Sequence, residues 1–274
     1  MRRLLGILIV TVAVLIYCYP TISSLYNSFL ALRTISKTTD NVITETDRKT
    51  ELEKCNIYNN SLNRGVTVVN EKMSVKNDTY ESLLDLGSGV MGYIEIPCIS
   101  QKLPIYHYTD DEELAKGIGH IASSSLPVGG NGTNCVLTGH RGLPNNLLFT
   151  RLDEVEEGDM VYISTLNETR AYKVYDIKTV LPEETGDIII EEGKDLLTLI
   201  TCTPYGVNTH RLVIRCERTE FNEDKYEPVS DFKAMIRAIP LTRFYISAGF
   251  ITALVVLMKV MNKRGKKNEG KAAN

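Results

Sequence analysis

The chain lacks the features by which nucleic-acid-binding and zinc-binding proteins are recognised in a sequence. Its 31 lysines and arginines are balanced by 34 acidic residues, with no long basic stripe, which argues against nucleic acid as a partner. No two of its six cysteines are spaced as C-x-x-C, and only four histidines are present. Closely paired zinc ligands are therefore missing, and neither a metal nor another cofactor is predicted.

The amino-terminal apolar run lacks a cleavage site. Residues 4–19 carry no charge and follow Arg2 and Arg3, a pattern typical of membrane-inserting segments. A cleavable signal peptide needs small residues after such a run, whereas positions 17–19 read Tyr-Cys-Tyr. We therefore predict an uncleaved transmembrane signal anchor over 1–20.

A second apolar run, at 244–258, lies near the other end and is followed by basic residues. Because basic flanks are retained in the cytoplasm, both termini are predicted to be cytoplasmic and the chain between the runs extracytoplasmic at the cell membrane. A lipid membrane is thus a predicted partner. The predicted parts are a juxtamembrane linker at 226–242, a transmembrane helix at 243–262 and a basic cytoplasmic tail at 263–274. The alternative is that each apolar run is a buried helix of a soluble protein.

Proline is absent from residues 21–85, which are rich in Asn, Thr, Glu and Lys. Leu25, Phe29, Leu32 and Ile35 follow one another at three- and four-residue steps, as on the apolar face of a helix. We predict a stalk of helix and loop over 21–85 that leads away from the membrane.

Between residues 86 and 225 the sequence changes to short runs rich in β-branched residues, broken by Gly, Pro and Asn. Such runs indicate strands. About seven of them at short spacing predict a closed or nearly closed, antiparallel-rich β-barrel. The predicted fold class is mainly β, with short helices, an N-terminal helical segment and a transmembrane helix at each end. The runs are MGYIEIP, KLPIYHY, NCVLTGH, DMVYIS, RAYKVYDIKTVLP, DLLTLITC and HRLVIRCER.

Three residues at strand ends have the chemistry for acyl transfer. Cys202 follows the apolar run LLTLIT and precedes a Pro-containing turn, and His140 follows CVLTG in the same way. Residues at such strand ends lie at an accessible rim. Arg211 opens the next strand, nine positions after Cys202. On spacing alone the alternatives stay open: a buried structural thiol, a surface turn histidine and a salt-bridged arginine.

Each of these residues has a physical role in acyl transfer. A thiol with a pKa near 8.5 is only a few per cent ionised at neutral pH, so His140 is needed to remove its proton or to share an ion pair with it. The same imidazole can then protonate a leaving amine. The donors of Arg211 suit the oxyanion that forms from a scissile carbonyl, and losing such a donor typically costs roughly 3 to 4 kcal/mol.

Several stretches resemble the motifs of sortases. TLITC at 198–202 resembles the family's TLxTC signature, and TCTPYGVNTHRLVIRC at 201–216 is similar to the active-site run of class C, the pilin-polymerising sortases. The resemblance covers about residues 86–218. Three further similar motifs, in the family's order, are GVMGYIEIP at 89–97, GIGHIASSSLPVGG at 117–130 and VLTGHRGLP at 136–144.

The resemblance implies a sortase β-barrel and a metal-independent cysteine transpeptidase. Such an enzyme attacks an LPxTG-like sorting signal and forms a thioacyl enzyme that an amine releases. The family's Cys, His and Arg fall on Cys202, His140 and Arg211. Four residues around the nucleophile are predicted to bind substrate, namely Thr201, Thr203, Pro204 and Tyr205.

The sequence departs from the family's pattern in three features. Relatives commonly carry Gly where this chain has Tyr108 and Cys216, and Cys216 is either a buried small residue or a disulfide partner. Class C members commonly carry an Asp-Pro-aromatic lid before the barrel, whereas no Asp-Pro pair occurs here. We expect an uncovered cleft; the alternative is a lid of different composition within 60–88.

Three functions remain open. The first is pilus polymerisation, in which the cleaved sorting signal is joined to a lysine amine of the next pilin subunit. The second is the anchoring of surface proteins to a peptidoglycan amine, with the same chemistry up to the nucleophile. The third is a non-catalytic membrane scaffold, for which Cys202 would be dispensable. The second apolar run and TCTPYGVNTHRL favour the first.

Overall fold

Helices precede, interrupt and follow the strands of a β-barrel along the chain. The computed structural model describes residues 2–39, 44–62, 77–87 and 89–237, together with 245–246, 248–253, 256 and 259. The helices are α1 (Arg2–Thr39), α2 (Glu45–Ser61), α3 (Asp78–Glu81), α4 (Asp111–Lys116) and α5 (Asp231–Arg237).

Eight strands close into a barrel in the order β1-β2-β3-β4-β7-β8-β6-β5. Neighbours β2–β3 and β4–β7 run parallel, and the other pairs are antiparallel. The predicted closed, antiparallel-rich barrel is confirmed, with one strand more than predicted, because β3 is too short to show a periodic pattern. The strands are β1 (Val90–Ile96), β2 (Gln101–His107), β3 (Ile118–His120), β4 (Thr133–Thr138), β5 (Met160–Thr165), β6 (Glu168–Val180), β7 (Asp195–Thr203) and β8 (His210–Thr219).

Strand β7 is buried on both faces along most of its length. Leu197 and Leu199 belong to the main core, while Ile200 belongs to a second apolar cluster, since successive side chains point to opposite faces. Each such buried side chain contributes roughly 1.5 to 3 kcal/mol. At the end of the strand, Cys202 and Thr203 are half-exposed. The wall is therefore packed into the core up to the residue before the thiol.

Helix α1 contacts β2 and α5 through a face that contains several small residues. The predicted face is only partly right, because Phe29 is 48% exposed whereas Leu32 and Ile35 are buried. Small side chains allow the helix to approach the barrel closely. A prediction from the spacing of large apolar residues does not include them. The buried residues of α1 are Ser24, Ala31, Leu32, Ile35 and Thr38.

The predicted transmembrane segments find no support in the structure. Within the described parts of the chain, no helix combines the length and the apolar character needed to cross a membrane. Residues 2–20 of the predicted anchor at 1–20 form the first half of α1. Only parts of the predicted helix at 243–262, and none of the tail at 263–274, belong to the described residues.

Two buried histidines attach the segment before the barrel to the barrel wall. Tyr80 donates its hydroxyl proton to Nδ1 of His120 over 2.7 Å, and Nε2 of His120 donates to the carbonyl oxygen of Ser125 over 2.8 Å. Nε2 of His107 lies 2.7 Å from the carbonyl oxygen of Leu83, and its Nδ1 lies 3.0 Å from the carbonyl oxygen of Gly89. Both histidines therefore have structural roles.

Two residues that depart from the family's pattern fill buried space. Tyr108 has a φ of 65°, in the region that favours glycine. Its ring packs edge-on against Tyr80 at 4.9 Å, and its hydroxyl accepts a hydrogen bond from the amide of Asn77 at 2.6 Å. These contacts offset a backbone strain of about 1 to 3 kcal/mol. Cys216 is fully buried and forms no disulfide, so it acts as a small apolar residue.

We expect His120 to make the free energy of unfolding fall as the pH is lowered from about 6.5 to about 4. Burial lowers the pKa of His120 to about 4, whereas an unfolded histidine has a pKa near 6.5. The unfolded state binds more protons in this window, so roughly 3 kcal/mol of stability that is present above it is lost below it. An NMR titration of the imidazole protons measures the pKa; a His120 resonance that titrates near pH 6.5 would contradict the buried neutral ring.

Candidate active site

The ends of β7 and β8 place Cys202 beside Arg211. The two residues are Cα partners across this antiparallel pair. Directly opposite residues in such a pair carry their side chains on the same face, with Cβ atoms about 4.5 to 5.5 Å apart. Both residues are half-exposed, and Nη1 of Arg211 lies 3.4 and 3.3 Å from the carbonyl oxygens of Asn208 and His210. The thiol and the guanidinium therefore share one side of the rim.

His140 reaches the same rim because β4 runs parallel to β7. Thr138, the last residue of β4, pairs with Ile200, and the amide of Gly139 donates to the carbonyl oxygen of Ile200 at 3.2 Å. Paired parallel strands advance together by about 3.3 Å per residue. Continued two residues further along, this register would bring His140 alongside Cys202.

Two side-chain hydrogen bonds fasten the histidine loop, residues 139–142, to β7. Thr201 Oγ1 donates to the carbonyl oxygen of Gly139 at 2.7 Å, and Nη1 of Arg141 donates to Thr203 Oγ1 at 2.9 Å. One bond lies a residue before the thiol and the other a residue after it. Arg141 is not among the predicted site residues, because its only signal in the sequence is its place directly after a candidate catalytic histidine.

The 3-10 segment Leu148–Glu154 supports the histidine loop from its other side. The amide of Phe149 donates to the carbonyl oxygen of His140 at 3.2 Å. Thr150 Oγ1 accepts a hydrogen bond from the amide of Gly142 at 3.2 Å. The backbone on both sides of the imidazole is therefore held by neighbouring elements.

The four residues predicted to bind substrate occupy two kinds of position. Thr201 is 1% exposed and its hydroxyl is bonded to the histidine loop, and its role in substrate binding stays a prediction. Thr203 is half-exposed, and its hydroxyl accepts from Arg141. Pro204 and Tyr205 are exposed in the loop between β7 and β8. This pair is placed where a bound peptide can contact it.

The residues before the barrel bear on whether the cleft is covered. Of the region 60–88, the structure describes 60–62 and 77–87, while 63–76 and 88 lie outside the described residues. The uncovered cleft therefore stays a prediction.

The remaining histidine, His210, is a neighbour of the site. It pairs with Thr203 across the strands, and its Nδ1 lies 2.9 Å from the hydroxyl of Thr209.

Across the residues that the structure describes, no group of three or more His, Cys, Asp or Glu side chains is arranged to hold a metal ion.

The cysteines differ in how readily their thiols can ionise. None of the six forms a disulfide. Cys135 lies buried in β4, whereas Cys98 is exposed in the 3-10 turn Pro97–Ile99. Desolvation of the thiol and the nearby carboxylate of Asp159 raise the pKa of Cys98 to about 12. Exposure alone therefore does not make Cys98 a nucleophile.

The rim thus combines a thiol, an imidazole and a guanidinium. A thiol beside an imidazole can lose its proton and attack a carbonyl carbon. The imidazole can return the proton to a leaving amine. A guanidinium on the same face can stabilise the oxyanion between these steps. This set of groups is the minimum needed for transfer of an acyl group through a thioester.

The chain matches the family model of the sortase domain over residues 94–219. This range begins within β1 and ends with β8, so it covers most of the barrel. It includes Cys202, His140 and Arg211.

Curated sortases are similar to the chain over parts of their length. Sortase A of Staphylococcus aureus is 37% identical over 125 residues, which cover 44% of this chain and 59% of that protein. Sortase A of Streptococcus agalactiae is 31% identical over 170 residues, which cover 59% of this chain and 68% of that protein. The chain therefore spans less than two thirds of the Staphylococcus aureus protein.

Solved structures of class C sortases are similar over almost their whole length. Sortase C-1 from Actinomyces oris shows 42% identity and a TM-score of 0.60, covering 64% of this chain and 99% of that one. Sortase C1 from Streptococcus agalactiae shows 41% identity and a TM-score of 0.64, covering 70% and 99%. The Pilus Island 1 sortase C2 of group B Streptococcus shows 39% identity and a TM-score of 0.61, covering 65% and 100%. These matches confirm the resemblance to class C sortases.

We expect iodoacetamide to alkylate Cys202 faster than Cys98 or Cys135. With a pKa of about 12, the thiol of Cys98 is ionised at pH 7 roughly 3000-fold less than an unperturbed thiol of pKa 8.5. Cys135 is buried, and burial raises its pKa. Timed labelling followed by mass spectrometry of peptides gives each rate, with Cys98→Ser as the background control. Faster labelling of Cys98 than of Cys202 would contradict this order.

Proposed function

The chain belongs to the sortase family of cysteine transpeptidases, and from this premise we propose that it cleaves an LPxTG-like sorting signal and transfers the acyl group to an amine. The sulfur of Cys202 attacks the scissile carbonyl carbon, and the carbon–nitrogen bond breaks to leave a thioester. His140 takes the thiol proton and gives it to the leaving amine. The acceptor amine then attacks the thioester and restores the thiol.

The observation that carries this proposal is the pairing of Cys202 with Arg211 beside a fastened histidine loop. The guanidinium lies on the same strand face as the thiol. A carbonyl attacked by this sulfur would therefore develop its negative charge within reach of a fixed cation. Such preorganised donors are usually the largest electrostatic contribution to acyl transfer.

We propose that the acceptor is a lysine amine of the next pilin subunit, so that the reaction polymerises a pilus. Support comes from the similar class C structures, one of which belongs to a pilus island, and from the run at 201–216. The alternative acceptor is a peptidoglycan amine, as in the anchoring of surface proteins. Both acceptors use the same thioacyl enzyme, so only the second half of the reaction separates them.

We also propose that the catalytic domain lies outside the cytoplasm at the cell membrane, with both termini cytoplasmic. The support is the pair of apolar runs with basic flanks near the ends of the sequence. The described helices give this placement no support. A reaction that joins surface proteins requires the active site on the same side of the membrane as its substrates.

We expect the full chain to convert a pilin that bears an LPxTG-like signal into covalent polymers that survive a denaturing gel. Cys202→Ala should form none, because it removes the atom that holds the acyl group. His140→Ala and Arg211→Ala should each lower the rate at least about 100-fold, through the lost proton transfer or the lost oxyanion donor.

The matched control is His210→Ala, which removes an imidazole beside Arg211 and should keep a near-normal rate. Thermal unfolding of each variant shows whether the barrel remains folded. Polymers formed by Cys202→Ala would leave the scaffold function as the better account. Transfer to a peptidoglycan amine without pilin polymers would favour surface-protein anchoring.

A further inference from the structure

Arg141 joins three parts of the rim through one buried guanidinium. Its side chain is 7% exposed. Nη1 donates to Thr203 Oγ1 at 2.9 Å and Nη2 donates to Asp153 Oδ2 at 2.5 Å. Thr203 ends β7, Asp153 belongs to the segment Leu148–Glu154, and the backbone of Arg141 belongs to the histidine loop. A single side chain therefore connects these three elements.

A gain in folding stability does not explain why the guanidinium of Arg141 is buried. Burying a guanidinium is costly unless its donors are all satisfied. Nε of Arg141 is buried and has no hydrogen-bond partner among the described residues, and such an unmet donor costs about 1 to 3 kcal/mol. Its carboxylate partner Asp153 is 48% exposed, where ion pairs contribute about 0 to 1 kcal/mol. The better explanation for its burial is that the Arg141 side chain fixes the positions of the elements that it connects.

The planar guanidinium of Arg141, whose two donor nitrogens form a fork, restricts the distance between His140 and Cys202. Its two donors have fixed directions, so the residue after the imidazole is held to the residue after the thiol. The bond from Thr201 to Gly139 holds the residues before them. The histidine loop and the end of β7 therefore cannot slide past each other without straining one of these two bonds. A displacement of about 1 Å between reacting groups can cost roughly 100-fold in rate.

We propose that Arg141 is a positioning residue that holds His140 at its working distance from Cys202. This role rests on the proposed function, because it acts through the imidazole and touches no reacting atom. It predicts that loss of the fork disturbs the thiol before any substrate binds. Alkylation of Cys202 in the absence of a sorting signal therefore reports on it.

Arg170 provides a matched control within the same barrel. Its side chain is 4% exposed, Nη1 donates to Thr165 Oγ1 at 2.9 Å, and Nη2 donates to Glu168 Oε2 at 2.7 Å. It therefore makes the same two kinds of hydrogen bond as Arg141. From position 170, β6 runs a further ten residues, or roughly 30 Å, before it ends at 180 near the Cys202 rim.

The test compares Arg141→Met, Arg170→Met and His140→Ala in two measurements: the pH dependence of Cys202 alkylation and the kinetics of pilin polymerisation. We expect Arg141→Met to lower kcat/KM by at least about 30-fold, mostly through kcat, and to shift the alkylation profile toward that of His140→Ala. Arg170→Met should leave both within about twofold of wild type while it lowers the thermal stability to a similar extent.

Two milder variants separate position from charge and keep the test valid if Arg141→Met does not fold. Arg141→Lys keeps the charge without the fork and should recover little of the loss. Thr203→Val removes only the acceptor and should shift the alkylation profile in the same direction by a smaller amount. A wild-type profile in Arg141→Lys would show that charge alone matters and would overturn the positioning role.

The failure of this inference differs from the failure of the proposed function. If His140→Ala alters alkylation and rate but Arg141→Met behaves as Arg170→Met does, only the positioning role is lost. If His140→Ala leaves both measurements unchanged, the proposed function fails and the role of Arg141 fails with it.

Discussion

The parallel pairing of β4 with β7 is the constraint on which the rest of the site depends. It runs from the pair Thr133–Asp195 to the pair Thr138–Ile200 and joins residues that lie far apart in the sequence. Because β7 also pairs with β8, one strand sets the positions of three functional groups. If β7 slipped by one residue, each of its side chains would turn to the opposite face of the barrel wall. The register of β7 therefore decides whether the thiol, the imidazole and the guanidinium meet.

Burial decides which thiol of the barrel can react. Cys135 and Cys216 lie inside the wall, where desolvation raises the pKa of each thiol. Cys202 differs because β7 leaves the core just before it, so its sulfur is half-exposed beside cationic or ionisable partners. The same chemical group is thus inert in one place and suited to nucleophilic attack in another.

The sequence predicts the barrel well because its strands are short, apolar and separated by turn residues. The strand-end positions of Cys202, His140 and Arg211 are likewise visible, since each is next to a turn or opens a strand. Arg141 could not be found in this way, because its role depends on Thr203 and on a segment reached only through the fold. The buried face of α1 is predicted only in part, because Leu32 and Ile35 lie on it as expected whereas Phe29 is exposed and small residues such as Ala31 are buried. Both features depend on contacts between residues that lie far apart in the sequence, and the spacing of apolar residues along the chain does not predict such contacts.

In the proposed reaction Cys202 carries the acyl group, so a covalent adduct on its sulfur should be detectable. The full chain is incubated with an LPxTG-like peptide, digested and mapped by mass spectrometry. We expect the peptide that contains Cys202 to carry the mass of the acyl fragment and to lose it on treatment with hydroxylamine. An adduct on Cys98 instead, or cleavage of the peptide by Cys202→Ala at the wild-type rate, would contradict this role of Cys202.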